Sequence, residues 1–145
     1  MARVIGLDVG SKRIGVAASD ELGVLASPRG AIRRQSYNKD AAAIAALVDD
    51  LQAERVVVGL PLGLSGRPTA QTQRVQAFAD MLSSRISVPV ELWDERLTTT
   101  LAHQMAPHGL QDRKSGYIDA VAAALILQGF LDSRPSSSES PSSPS

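Results

Sequence analysis

The apolar positions change their spacing along the chain, and this change predicts alternating strands and helices. Two short β-branched runs, 4–9 and 14–18, are separated by a Gly-Ser-Lys-Arg turn, which is typical of neighbouring strands. A third strand is predicted over 25–32, where Pro28 and Gly30 favour an edge position with a bulge. The first part of the chain therefore predicts three consecutive strands.

Helices and strands then alternate. From Asn38 the apolar residues recur every three or four positions, which places one apolar stripe on a helix. The run 55–60 has no polar alternation and is typical of a parallel strand covered on both faces. A Gly- and Pro-rich loop over 61–68 leads to a second amphipathic helix over 69–85 and a strand over 90–93.

The last part of the chain predicts two helices and a tail. A short helix is expected over 97–105, and 117–131 is apolar nearly all round, as in a helix buried against a sheet. We expect a single α/β domain over 1–132, with a mixed sheet and helices on its faces. The Ser- and Pro-rich segment 133–145 cannot bury enough apolar surface to fold and is predicted to be disordered.

Composition narrows the function classes. The chain has 145 residues, 43% of them hydrophobic, which suits one globular domain. The formal net charge is +0, so a polyanion would have to be held by a local patch. The absence of cysteine excludes disulfides, thiol nucleophiles and Cys-ligated zinc. With no apolar targeting or membrane-spanning segment in the sequence, we expect a cytosolic protein with no membrane partner.

Three acids fall at the ends of predicted elements. Asp8 lies within the apolar first strand, Glu95 just after the last strand, and Asp119 at the start of the last helix. Carboxylates that converge at one sheet edge repel each other, and a divalent cation relieves that repulsion. Oxygen ligands without cysteine favour Mg²⁺ or Mn²⁺. This set suits metal-dependent hydrolysis of phosphodiesters, with the acids as catalytic and metal-binding residues.

Each acid also has a structural interpretation. Asp8 can accept hydrogen bonds from turn amides, and Asp119 can simply complement a helix dipole. Asp94 and Glu95 point to opposite faces if the strand continues, so only one of them is expected at the metal. We favour Glu95 because it lies further toward the carboxyl end of its strand, where sites gather in open α/β sheets.

Basic residues near the same edge are candidates for phosphate contacts. These are Lys12, Arg13, Arg67 and Arg96. Together they would form a local cationic rim on a neutral chain. Trp93 and Tyr117 are able to stack on bases, although core packing is the expected use of the tryptophan.

Several motifs together resemble the YqgF (RuvX) family of bacterial RNase H-like nucleases. They are Gly6-Leu7-Asp8-Val9-Gly10-Ser11-Lys12-Arg13-Ile14-Gly15-Val16, Val57-Val58-Gly59-Leu60-Pro61-Leu62, Gln73-Arg74-Val75, Trp93-Asp94-Glu95-Arg96-Leu97-Thr98 and Asp119-Ala120-Val121-Ala122-Ala123-Ala124-Leu125-Ile126-Leu127-Gln128. The motifs occur in the family's order and cover most of residues 3–131. One departure is Gly63, where many relatives carry Asn, which puts a polar substrate contact in that loop in doubt.

The resemblance implies a fold, a site and two activities. The fold is RNase H-like, a five-stranded mixed sheet with the first three strands antiparallel and the others parallel to the first. The metal site implied is Asp8, Glu95 and Asp119. The activities proposed for the family are 5′-end maturation of the 16S ribosomal RNA precursor and cleavage of Holliday junctions in DNA. Arg74 joins the candidate phosphate contacts, and nucleic acid is the expected partner.

Two other classes compete with the nuclease. Asp8-Val9-Gly10-Ser11 before a second strand also resembles the first phosphate loop of actin-like ATPases and sugar kinases, but those proteins need two such domains and this chain has room for one. The second class is a non-catalytic nucleic-acid-binding module. Clustered acids do not favour this class, because without a metal ion they repel a polyanion.

Symmetrical cleavage of a four-way junction would require a homodimer. We favour processing of the ribosomal RNA precursor over junction cleavage.

Overall fold

The computed structural model describes residues 3–63, 65–95 and 116–134. The strands are β1 (Arg3–Val9), β2 (Arg13–Ser19), β3 (Ala26–Arg33), β4 (Ala53–Leu60) and β5 (Val90–Asp94). The helices are α1 (Tyr37–Leu51), α2 (Ala70–Ser83) and α3 (Tyr117–Ser133). The predicted helix over 97–105 and nearly all of the predicted tail lie outside the described residues.

The five strands form one mixed sheet in the order β3-β2-β1-β4-β5. The chain makes two antiparallel steps, from β1 to β2 and from β2 to β3. It then returns through α1 to pair β4 in parallel with β1, and through α2 to pair β5 in parallel with β4. This confirms the expected mixed sheet with three antiparallel strands at its start, and it places β1 at the centre.

The edge strand β3 carries the bulge that its sequence predicts. Val16 pairs with Gly30 while the next residue, Ala17, pairs with Pro28, so Arg29 is the extra residue. Gly30 has a φ of 115°, which favours glycine. Proline fits here because an edge strand does not need every N–H for pairing.

The two faces of the sheet bury different cores. One face packs against α1 and α2, and its largest fully buried side chains include Phe78, Ile5, Leu7, Ile14, Ile44 and Leu82. Within the described residues the other face packs against α3, through Val4, Ala17, Val57, Ala123, Ile126, Leu127, Phe130 and Leu131. Because successive strand residues point to opposite faces, each residue of β1 is assigned to one helix layer or the other.

Local capping sets where the first two helices begin. The Ser36 side chain accepts the Lys39 N–H before α1, and Thr69 and Thr72 form a reciprocal capping box at α2. The Thr72 hydroxyl also donates to the carbonyl of Pro61, which ties the start of α2 to the loop after β4. Across the described ranges, no helix combines the length and apolarity needed to cross a bilayer.

Three glycines let α3 lie unusually close to the sheet. A Cβ at Gly6 would stand 2.7 Å from the Leu127 Cβ, and one at Gly59 would stand 2.6 Å from the Ile126 Cδ1. A Cβ at Gly15 would collide with the Asp119 carbonyl in the first turn of the helix. The absence of side chains at these positions therefore sets the height of α3 above the strands.

We expect Gly15→Ala to destabilise the fold by about 2–3 kcal/mol, because the helix backbone rather than a flexible side chain blocks the added methyl group. Urea unfolding followed by circular dichroism measures the change. Ser27→Ala, at an exposed position of β3, is the control and should stay within about 0.5 kcal/mol of the wild type. A Gly15→Ala protein as stable as this control would contradict the close contact.

Candidate active site

Asp8 reaches the α3 side of the sheet because of its position in β1. Leu7 and Val9 point into the core beneath α1 and α2, so the side chain between them points to the opposite face. Asp8 pairs across the strands with Gly15. The glycine leaves open space beside the carboxylate, into which the start of α3 fits.

Glu95 reaches the same face from the end of β5, which lies two strands from β1 in the sheet. Asp94, the last residue of β5, pairs with Leu60, and Glu95 follows it. A Cβ at Gly59 would stand 2.9 Å from the Glu95 Oε2, so the carboxylate lies over that glycine, beside Ile126 of α3. The structure thus places Glu95, as favoured above, on the same face as Asp8, whereas the register assigns Asp94 to the other face.

Asp119 is brought in by the first turn of α3. Its main chain packs on Gly15, the strand partner of Asp8, and its Oδ2 accepts a hydrogen bond from the Arg13 Nε at 2.7 Å. The three predicted acids therefore come from β1, the end of β5 and the start of α3, and they gather on one face at the carboxyl end of the central strand.

The surroundings of these carboxylates raise the pKa of two of them. Burial and the charge of Asp119 raise the pKa of Asp8 from 3.8 to about 6. Burial, followed by the charges of Asp8 and Asp94, raises the pKa of Glu95 from 4.5 to about 7. Each shift means that the site disfavours the ionised carboxylate unless positive charge is supplied.

The three side chains do not stand in a ready ligand arrangement. Over residues 3–63, 65–95 and 116–134, no group of three or more His, Cys, Asp or Glu side chains is close enough to hold one metal ion. Asp119 is instead ion-paired with Arg13, whose side chain is 38% exposed. This pair was not predictable from the sequence, because its members are 106 residues apart.

The predicted phosphate contacts differ in their surroundings. Lys12 is exposed in the turn after β1, and Arg67 is exposed in the loop after β4. Arg74 is exposed on α2 and lines a cavity beside the turn after β1. Arg13 is half-buried and donates to Asp119, and Arg96 lies outside the described residues.

The two aromatic candidates are used differently. Trp93 packs edge-to-face on Phe130 at 6.0 Å between ring centroids, which confirms its expected role in the core beneath α3. Tyr117 is 58% exposed at the start of α3.

Sequence reasoning missed Arg34. Its Nη1 donates to the Gly10 carbonyl at 2.9 Å and so holds the turn that follows Asp8.

Comparison with known proteins identifies the family. The model of the family described as "RuvX: Holliday junction resolvase" matches residues 2–133. The chain belongs to the RuvX family. Among its relatives, a "Putative pre-16S rRNA nuclease" from Chloroflexus aurantiacus is 47% identical, over 90% of this chain and 87% of that protein. A relative of the same name from Desulforamulus reducens is 41% identical, over 90% and 97%.

Solved structures confirm the fold of this RuvX-family chain. The RuvC structure from Thermus thermophilus matches with a TM-score of 0.57 and 14% identity, over 90% of this chain and 95% of that one. The Holliday junction resolvase of fowlpox virus matches with a TM-score of 0.52 and 10% identity, over 91% and 99%. The RNase H-like architecture expected from the sequence motifs is thereby confirmed.

The raised pKa values predict how stability depends on pH in EDTA. Between about pH 4 and pH 7 the folded state binds more protons than the unfolded state, because folding raises the pKa of Asp8 and Glu95. The free energy of unfolding contributed by these groups therefore falls as the pH rises through this window. Asp8→Asn removes part of this penalty, so we expect it to be about 1–3 kcal/mol more stable than the wild type at pH 8.

At pH 4 the same comparison should give a much smaller difference, since the wild-type carboxyl is then protonated in the folded state. Urea titrations at the two pH values measure both effects. Asp50→Asn, at an exposed position of α1, serves as the control and should leave the pH dependence unchanged. An Asp8→Asn protein that follows the wild-type curve would show that the carboxylate is not strained by its surroundings.

Proposed function

We propose that this protein is a divalent-metal-dependent nuclease that processes the 5′ end of the 16S ribosomal RNA precursor in the cytoplasm. The observation that carries the proposal is the gathering of Asp8, Glu95 and Asp119 on one face of the sheet, with the pKa values of the first two raised. The names of the relatives support the substrate, since those relatives are called pre-16S rRNA nucleases.

The donor set fits Mg²⁺ or Mn²⁺. All three side chains offer carboxylate oxygens, which these hard cations prefer, and the chain contains no cysteine. Burial of mutually repelling acids is unfavourable without a counter-charge, and a bound cation supplies one. Asp8 from β1 and Glu95 from the end of β5 would hold the ion, and Asp119 would join them on leaving Arg13. Such an ion, when bound, lowers the pKa of an attacking water and stabilises charge on the phosphodiester.

The residues of this chain have separate roles in that proposal. Asp8 is fixed by the central strand and contributes the most buried of the three acids. Glu95 is positioned by the end of β5 and by the space over Gly59. Arg13 holds Asp119 in place through their ion pair and, if a metal ion took its place there, would lie close enough to the site to contact a substrate phosphate. Lys12, Arg67, Arg74 and Arg96 are proposed to position the nucleic-acid backbone.

A metal-stability measurement tests the first step. We expect Mn²⁺ or Mg²⁺ at 100 times its dissociation constant to stabilise the wild-type fold by about 2.7 kcal/mol, since only the folded state holds the three acids together. Asp8→Asn should lose most of this stabilisation. Thermal unfolding across a metal titration measures both proteins, and equal metal-dependent shifts would place the ion elsewhere.

A cleavage assay tests the activity and uses two adjacent acids as a matched pair. Glu95→Gln should lower cleavage of a labelled precursor RNA by at least about 100-fold, which corresponds to about 2.7 kcal/mol of transition-state stabilisation. Asp94→Asn should stay within about threefold, because its register assigns it to the other face. Equal losses in both variants, or cleavage that persists in EDTA, would contradict the proposed site.

Holliday junction cleavage is the second candidate function. The description of the matching family model and the fold similarity to RuvC favour it. A labelled four-way DNA junction and the precursor RNA, assayed side by side with the same metal, discriminate the two. We expect the RNA to be cut with the higher kcat/KM. Paired symmetrical nicks in the junction, together with a dimer in solution, would favour the resolvase instead.

A further inference from the structure

A small cavity lies on the face of β1 opposite the three acids. It has a volume of about 210 Å³ and is bounded by the turn after β1, the start of α1 and the start of α2. Val9 and Val75 form its apolar floor, and Arg34, Tyr37 and Arg74 provide charge and an aromatic ring at its walls. Asp8 and Val9 are consecutive in β1, so the cavity and the acids lie on either side of the same strand end.

Arg34 is built into the cavity wall. Its guanidinium lies 5.2 Å over the Phe78 ring, its Nη1 donates to the Gly10 carbonyl at 2.9 Å, and its Nε faces the Asp40 Oδ2 at 3.6 Å. Asp40 is only 2% exposed, so its charge lies behind Arg34. A guanidinium has five N–H donors, which is more than these two polar contacts engage.

Arg74 adds a second positive charge at the same cavity. It is exposed on α2, and within the described part of the chain it makes no hydrogen bond or ion pair. The cavity therefore carries two cations against one buried acid. This local excess of positive charge fits a single phosphate group, which arginine side chains bind through paired N–H donors.

Tyr37 provides a surface for a flat ring. It is 45% exposed, and its edge-to-face contact with Phe78, at 6.1 Å between centroids, holds it in place. An exposed aromatic ring that is already fixed loses little conformational freedom when a base stacks on it. The cavity volume lies below the usual range for whole drug-sized ligands, so it suits one unit of a chain rather than a free cofactor.

We propose that this cavity binds one nucleotide of a single-stranded RNA segment, with the phosphate at Arg34 and Arg74 and the base against Tyr37. The assignment of RNA rests on the proposed function. A strand that crosses the carboxyl end of β1 would place one phosphate near the acids and a neighbouring nucleotide in the cavity. Recognition here is independent of base sequence, because it uses the backbone charge and the face of the ring.

Binding in EDTA tests the cavity without requiring cleavage. A fluorescein-labelled oligouridylate of about ten nucleotides, within the range that single-strand binding sites cover, is titrated with the full chain and followed by anisotropy. We expect Arg74→Gln and Tyr37→Ala each to weaken binding by about five- to tenfold, and Tyr37→Phe to bind like the wild type. Arg74→Gln should also reduce the slope of log affinity against log salt by about 0.7.

Arg29→Gln is the matched control, because it removes an exposed arginine from the bulge of β3. It should bind within about twofold of the wild type. Thermal unfolding of every variant shows whether the fold is retained, and Arg74→Gln carries the test if Tyr37→Ala does not fold. Equal effects of Arg74→Gln and Arg29→Gln, or no binding by the wild type, would overturn the cavity proposal. Since the assay contains no metal, a failure of the nuclease proposal would appear only in the cleavage experiments.

Discussion

The close contact between α3 and the sheet is the constraint on which the site depends. Gly6, Gly15 and Gly59 lie on three adjacent strands and leave no Cβ between the sheet and the helix. The helix consequently descends far enough for Asp119 to reach the neighbourhood of Asp8, and the space over Gly59 receives Glu95. A larger residue at any of these positions would separate acids that are far apart in the sequence.

The electrostatic arrangement follows from that contact. Burial raises the pKa of both Asp8 and Glu95, and their neighbouring carboxylates raise it further. The helix–sheet packing therefore offsets an unfavourable local charge distribution, as is common where a protein prepares a site for a ligand of opposite charge. The same packing buries Trp93 against Phe130, so the apolar contacts that hold α3 also fix the end of β5 beside Glu95.

Much of the fold was predictable because each strand and helix carries its own apolar period. The bulge of β3 was foreseeable from Pro28 and Gly30, and the parallel strand β4 from its unbroken apolar run. The three acids lie on one face because each stands near the end of a strand or at the start of a helix, and their use as metal ligands stays a prediction. The pairing of Arg13 with Asp119 and the anchoring of the turn by Arg34 were not predictable, since both join side chains brought together only by tertiary packing.

The ion pair between Arg13 and Asp119 has a consequence for the proposed binding of a metal ion. The Arg13 guanidinium acts as an internal counter-ion for the Asp119 carboxylate. In the proposed nuclease, a cation held by all three acids would have to displace that guanidinium from Asp119, which would lower its net affinity. The displaced arginine would then be able to contact the nucleic-acid strand. Binding of the metal ion and binding of the nucleic acid would thereby be coupled.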